Sequence, residues 1–338
     1  NNRYGLIMGT YKEIRGTHVL SVTSDPPSPV NGQMWYNSTE KVVKGFTSNP
    51  AGTWATSTAL NNARGAGSTA GTNASAWFVG GEDPGGYENK TELWNGSSWT
   101  NSATTSRPGA YTCAQSMAVP NNSTGLLFGG HYGTNPAAQF ALCEDWNGSA
   151  WTEVADLNTG RRSGGGAGTS AEACLAFGGG YGNPFTAQAV TESWNGSAWT
   201  EVNDLNTARY GRAGFGSYTS ALYAGDSPSN NVETWNGSSW TEVADQNNTG
   251  KDGGAGVVNT AGLSYGGFPT GHTEIWNGSS WTETGNLNVA RYSCAGAGAS
   301  SGAAIATGGQ APPASPSYVG SVEEFSSPTT STVTFTVS

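Results

Sequence analysis

The residues of this chain best suited to chemistry are three histidines and one recurring basic position. The histidines are His18, His131 and His272, and the basic position holds Arg64, Arg107, Arg161, Arg209 and Arg291, with Lys251 filling it once. A zinc or general-base centre needs ligands at fixed spacing, and no H-E-x-x-H or comparable arrangement occurs. His131 and His272 both lie downstream of a Gly-Gly and read as loop residues on separate repeats. The glycine-rich runs lack the G-K-[ST] of a phosphate loop, and "GGEDPGG" at 80–86 lacks the calcium nonapeptide. A basic residue that returns with the repeat points to a turn or packing contact rather than to catalysis. No catalytic residue, metal or cofactor is expected.

Two further residue types invite a chemical reading. N-G-S stands at Asn95, Asn147, Asn195, Asn236 and Asn277, where it is either a glycosylation acceptor or a turn. Asn-Gly is the strongest short hairpin signal, because both residues tolerate positive φ, and the turn reading is preferred. Cys113, Cys143, Cys174 and Cys294 show no C-x-x-C and no regular spacing. They read as four free, buried thiols, with a Cys113–Cys143 bridge inside one repeat as the alternative.

The elements that position these residues repeat. "WNGSSWTE" at Trp94 has near-copies at Trp146, Trp194, Trp235 and Trp276, spaced by 41 to 52 residues. Each copy carries the same order of signals. A basic residue and a small-residue run ("RRSGGGAGTS" from Arg161) come first, then an apolar strand ending in glycine ("AWFVGG", "LLFGG", "LAFGG", "LYAG", "LSYGG"), then a loop of variable length. The tryptophan segment and a linker such as "EVADLNTAR" follow. This predicts four short strands per unit, labelled a to d, and excludes a helical solenoid. A period of about 40–50 residues with four strands is the signature of a β-propeller blade. The fold class is therefore all-β, a propeller of four-stranded blades.

Within the octapeptide, a four-residue loop places Trp94 opposite Trp99, and a two-residue loop places Trp99 opposite Glu92. Either register leaves both indoles on one face. The pairs Trp94/Trp99, Trp146/Trp151, Trp194/Trp199, Trp235/Trp240 and Trp276/Trp281 are therefore expected to pack between blades. Runs such as "GAGSTAG", "GGAGVV" and "CAGAGAS" suit the narrow innermost strand.

Six units cover 62–338, at about 62–103, 104–155, 156–204, 205–245, 246–285 and 286–338, the last with Phe325 in the first tryptophan slot and a β-branched final strand. Residues 1–61 hold "THVLSVT", "GQMWYN", "EKVVKGF" and "GTWATSTALNNAR", which read as strands a to d of a divergent blade and a docking segment. Seven blades are favoured, with six blades and an N-terminal appendage as the alternative.

Composition narrows the partners. Thirteen Trp, thirteen Tyr and ten Phe argue for a folded chain despite 51 Gly. Asp and Glu total 24 against 14 Lys and Arg, with no basic stripe, so nucleic acid is not an expected partner. No apolar run approaches the ~20 residues of a membrane span, and no membrane insertion is expected. The opening "NNRYGLIMGTYKEIRG" does not resemble a secretory signal.

An apolar strand ending in Gly-Gly, followed by an aromatic on strand c and a Trp at the start of strand d, resembles the kelch repeat over about 62–325. Kelch-type scaffolds include a copper oxidase that uses two His and Tyr ligands, one Tyr cross-linked to Cys, and no segment here matches it. The opening "MGTYKEIRGT…SDPPSPVNGQMWYNSTEKVVKGF", from Met8 to Phe46, followed by "WNGSSWTEVADLNTAR"-type repeats, is similar to kelch-like structural proteins of marine tailed phages. Seven residues precede Met8, where such proteins begin. The resemblance implies a non-enzymatic virion surface or tail-fibre protein, located on the particle. Its partners would be other virion proteins and a host-surface glycan or protein.

Variation among the copies concentrates in the b–c loops, where a rigid scaffold places recognition. Tyr87, His131, Tyr132, Tyr181, Phe185, Phe268, His272 and Tyr318 are the candidate ligand or partner face. The rival reading is a secreted lectin or a carbohydrate-active propeller enzyme. Arg, Glu and Tyr clustered at an axial pocket would favour the enzyme, and exposed loop aromatics without acids would favour the lectin.

Overall fold

The computed structural model describes residues 19–30, 32–49, 52–106, 115–116, 121–131, 141–182, 184–224, 229–250, 252–267, 270–311, 318–327 and 329–335. All regular structure among them is β, and the chain divides into two compact units, 1–50 with 328–338 and 51–327.

The larger unit holds six four-stranded antiparallel sheets in the order a-b-c-d. The first is Ser68–Thr72, Ser75–Val79, Thr91–Trp94 and Trp99–Asn101. The second is Gln115–Ser116, Gly125–Phe128, Cys143–Trp146 and Trp151–Val154. The third is Gly165–Ser170, Ala173–Phe177, Thr191–Trp194 and Trp199–Val202. The fourth is Ala213–Ser217, Ser220–Ala224, Val232–Trp235 and Trp240–Val243. The fifth is Gly253–Val258, Ala261–Tyr265, Thr273–Trp276 and Trp281–Glu283. The sixth is Ala295–Ser300, Ala303–Thr307, Val322–Ser326 and, from the other end of the sequence, Thr53–Ser57.

That last strand corrects the N-terminal expectation. Leu20–Val22, Met34–Asn37 and Val42–Asn49 do share a sheet, but its fourth strand is Thr329–Phe335, the run read as the end of the sixth unit. Thr53–Ser57 instead pairs with Val322–Ser326, setting Trp54 opposite Phe325 as Trp99 stands opposite Trp94. Trp54 is thus the second tryptophan that the sixth repeat lacks. Its indole N–H donates to Thr273 Oγ1 at 2.9 Å, and its carbonyl accepts from Asn288 Nδ2 at 2.8 Å.

The four-residue hairpin is the observed register in all five octapeptides. Only the glycine takes positive φ (Gly96, +90°), so the asparagine has a different role from the one expected. Asn95 Oδ1 accepts the Ser97 and Ser98 backbone N–H groups at 3.0 and 2.9 Å, an Asx turn repeated in each copy.

The two indoles of each pair also divide their tasks. The indole N–H of the first stays within its own sheet, with Trp94 Nε1 donating to Asn73 O and Trp194 Nε1 to Ala171 O. The second crosses to the preceding sheet. Trp151 packs on Trp77, Trp199 on Phe128, Trp240 on Phe177 and Trp54 on Tyr265, with centroids 4.7–5.4 Å apart. Trp151 and Trp240 donate there to Thr91 Oγ1 and Thr191 Oγ1. Cys143 occupies that Thr position in the second sheet, and Trp199 Nε1 is left buried without a hydrogen bond.

Successive inner strands contact one another, and the sixth contacts the first. They lie so close that a Cβ on Gly214 would sit 2.8 Å from Gly165 Cα. Thr69 Oγ1 and Thr307 Oγ1, 2.6 Å apart, join the first sheet to the sixth.

The recurring basic residue is part of a buried clip. In the third sheet Glu192, on strand c, accepts Arg161 Nη1 at 2.6 Å, the Asn158 N–H at 2.7 Å and the Thr159 N–H at 3.2 Å. Arg64–Glu92, Arg209–Glu233 and Arg291–Glu323 repeat the pair, all fully buried. Glu144 and Glu274 fill the same strand position, while Arg107 and Lys251 lie outside the described residues. Burial pulls the Arg161 pKa down and Glu192 opposes the shift.

In the smaller unit, Asp25 accepts from Trp35 Nε1, Asn37 Nδ2 and Lys44 Nζ at 2.8–2.9 Å. These bonds, led by Lys44, hold the Asp25 pKa at about 2 against the ordinary 3.8.

Two outcomes follow from these polar contacts. Glu192→Gln strands Arg161 as a buried, uncompensated charge and should cost about 3–5 kcal/mol in urea unfolding. Replacing Arg161 together with Glu192 by Met should not restore stability, because the Asn158 and Thr159 amides lose their acceptor; full recovery would show that the clip is dispensable. For Asp25, the folded pKa lies below the unfolded one, so its stabilisation is present above pH 3.8 and lost as pH falls through about 2. The Trp35 indole N–H resonance should shift across that window in the wild type and stay flat there in Asp25→Asn.

Candidate functional site

Strand a begins where strand b ends: Ser68 pairs with Val79, Gly165 with Phe177 and Ala213 with Ala224. The d–a linkers and the b–c loops therefore emerge at the same end of each sheet. Two aromatic groups and one small pocket form at that end.

The first group lies where the sixth and first sheets meet. Glu82 and Tyr87 face each other across the short hairpin Glu82–Asp83/Gly86–Tyr87. Glu82 also bridges Gly65, and a Cβ on Gly65 would touch Gln310 at 3.2 Å. Gln310 in turn bridges both Tyr292 and Tyr318. Directly opposed residues share a face, so Tyr292, Gln310 and Tyr318 form one row and Glu82 with Tyr87 another. His131 meets the Tyr87 ring edge-on, with centroids 5.6 Å apart. Burial, and then interaction with the Glu82 carboxylate, pushes the Tyr318 phenol up.

The second group sits on the third and fourth sheets. The Arg162 guanidinium lies 4.8 Å above the Phe185 ring, and Phe185 meets Tyr210 edge-on at 5.1 Å. Tyr181 and Tyr210 are 46% and 39% exposed, large aromatic areas turned to solvent.

The structure thus brings His131 and Tyr318 to Tyr87, and places Tyr181 and Phe185 on one short hairpin elsewhere. His272 is half-buried and directly precedes strand c of the fifth sheet. Tyr132 and Phe268 lie outside the described residues. Sequence reading missed Glu82, Tyr292 and Gln310 in the first group and Arg162 and Tyr210 in the second. One signal was available: "ARY" occurs at both 208–210 and 290–292, placing a tyrosine after the clip arginine.

The pocket, of about 50 Å³, is walled by the starts of the inner strands, including Gly67, Arg212, Asp252 and Cys294. Arg212 Nη2 reaches from the fourth sheet to Ala66 O of the first at 2.8 Å. Asp252 Oδ2 accepts the Ser293 N–H at 2.9 Å, and burial pushes its pKa up against the pull of Arg212. Neither Glu nor Tyr lines the pocket among the described residues. No group of three or more His, Cys, Asp or Glu suited to a metal occurs among them either.

Cys174 and Cys294 are free and buried, Cys143 is buried, and Cys113 lies outside the described residues. Burial, followed by the nearby Asp252 carboxylate, pushes Cys294 up to about 12, and burial raises Cys174 well above its ordinary range. Thiolate is the reactive form, so iodoacetamide at pH 8 should leave Cys174 and Cys294 unmodified in the native chain and alkylate both in urea. Peptide mass spectrometry reads the difference, and native alkylation of Cys294 would refute its assignment as an inert core thiol.

In comparisons with known proteins, no protein-family model and no curated protein matches this chain.

Proposed function

We propose that this chain is a non-enzymatic recognition protein of a tailed-phage virion, built on a six-bladed kelch-like propeller. In this reading each four-stranded sheet is one blade, and Thr53–Ser57 completes the sixth blade and closes the ring. The sheet of Leu20–Val22, Met34–Asn37, Val42–Asn49 and Thr329–Phe335 is a separate docking module. The contact of the sixth inner strand with the first supports closure, as does the Gly309 N–H donated to Arg64 O at 3.0 Å.

One observation carries the recognition role. The recurring arginine and strand-c glutamate are consumed in buried clips in four of the sheets, whereas aromatics from different sheets meet at the loop end. Repeated groups build the scaffold, and the loops that differ present a surface. The virion placement rests on the similarity of residues 8–46 and of the octapeptide repeats to phage structural proteins. A lectin on the same scaffold is the second reading, favoured by the exposed Tyr181 and Tyr210 rings.

Gold-labelled antibody raised against the chain, applied to intact particles of the phage that encodes it, tests the placement. Label on tail or capsid is expected. Particles that contain none of the chain by immunoblot would remove the virion reading and leave the lectin.

A further inference from the structure

The group between the sixth and first sheets has a chemistry of its own. Glu82 makes no ion pair among the described residues, although it stands close to the buried Arg64 pair. Asp83 and Glu88 lie on the same loop, and Lys90 is committed to Glu88 at 3.0 Å. The local balance is therefore acidic. Tyr87 opposes Glu82 directly, and Tyr318 and Tyr292 flank it through Gln310. Tyr292 is 39% exposed, and Glu82, Tyr87 and Tyr318 are half-buried, so the carboxylate is rimmed by rings without being sealed.

Tyrosine faces carry negative potential, and the Glu82 carboxylate, hydrogen-bonded by Tyr318 but in no ion pair among the described residues, adds a full charge beside them. Cations bound over aromatic rings are stabilised by that field, most of all when the cation is large and weakly hydrated, as a quaternary ammonium is. A neutral sugar would use the rings and the amide but would gain nothing from the surplus of acids. We propose that Glu82, Tyr87, Tyr292 and Tyr318 form a binding site for an organic ammonium group, with Gln310 fixing the spacing of the two outer rings.

The site deepens the recognition role proposed above and rests on it, yet the two fail separately. Antibody labelling of particles tests where the protein resides, and ligand titration tests what this site holds.

Choline is the first probe, followed by ligand-observed NMR and calorimetry on the full chain. Its neutral isostere 3,3-dimethyl-1-butanol is the control, and methyl glucoside tests the sugar alternative. Choline should bind saturably, with the isostere about tenfold weaker or worse. Tyr292→Ala and Glu82→Gln should each weaken choline binding about tenfold while leaving the melting temperature unchanged, Tyr292 being exposed and the glutamine isosteric. Phosphocholine and Nε-trimethyl-lysine amide, offered separately, distinguish a headgroup source from a side-chain source, and binding of either supports the site. Equal binding of the neutral isostere, glucoside binding in place of choline, no binding of any ammonium probe, or folded variants that bind choline as well as the wild type would each overturn the assignment.

Discussion

One buried carboxylate per sheet is the interaction on which the larger unit depends. Glu92, Glu144, Glu192, Glu233, Glu274 and Glu323 occupy the same place on strand c, and all are essentially without solvent contact. A charge so placed is tolerable only when fully hydrogen-bonded. In five of the sheets the preceding linker meets that requirement through an asparagine N–H, joined in four of them by the asparagine side chain, and in four sheets a guanidinium also contributes. Where the described residues include no arginine, Ser106 donates to Glu144 through both N–H and Oγ, and Asn247 and Asn248 serve Glu274.

That requirement explains the wording of the linker. In "DLNTGR" the leucine faces backwards: Leu157 is buried, and its N–H donates to Ala141 O of the sheet just completed. The next residue, Asn158, faces forwards onto Glu192 and also holds Trp199 O at 3.1 Å. The arginine carbonyl then accepts the N–H of Gly130, at the end of strand b in the preceding sheet. A Cβ on Gly129 would lie 2.5 Å from that carbonyl, and Gly129 has φ of +65°, so two constraints require glycine there. The Gly-Gly, the arginine and the strand-c glutamate are thus parts of one joint, repeated because the sheet is repeated.

The second tryptophan makes the other joint between neighbouring sheets, and its hydrogen bonding varies with the residue it meets. Thr91, Thr191 and Thr273 supply a hydroxyl, and Cys143, Val232 and Val322 do not. Trp281 and Trp99 turn to the carbonyls of Ala244 and Thr58 instead, and Trp199 finds no partner. An aromatic partner on strand b meets the indole at Trp54, Trp151, Trp199 and Trp240, while Trp99 clusters with Ile305 and Val322 and Trp281 with Leu222 and Val232. Apolar packing of the indole on the preceding sheet therefore carries the joint, and the hydrogen bond refines it.

The sequence by itself determined the local elements, because each is set by interactions within a few residues. The period, the four strands, the paired indoles and the Asn-Gly turn are all legible in "WNGSSWTE" and its neighbours. So is the structural character of the arginine slot, since a residue that returns with the repeat answers a repeated need. Only the tertiary structure decided which strand completes which sheet. "GTWATSTALNNAR" carries the tryptophan, leucine, asparagine and arginine of an ordinary strand d and linker, but nothing local says that its partner lies about 270 residues away at Val322–Ser326. The candidate site is of the same kind. Glu82, Tyr292 and Tyr318 belong to three separate loops, and only the meeting of the sixth sheet with the first sets them side by side, because pairing between distant segments is chosen by packing of the whole unit and not by the chain's local preferences.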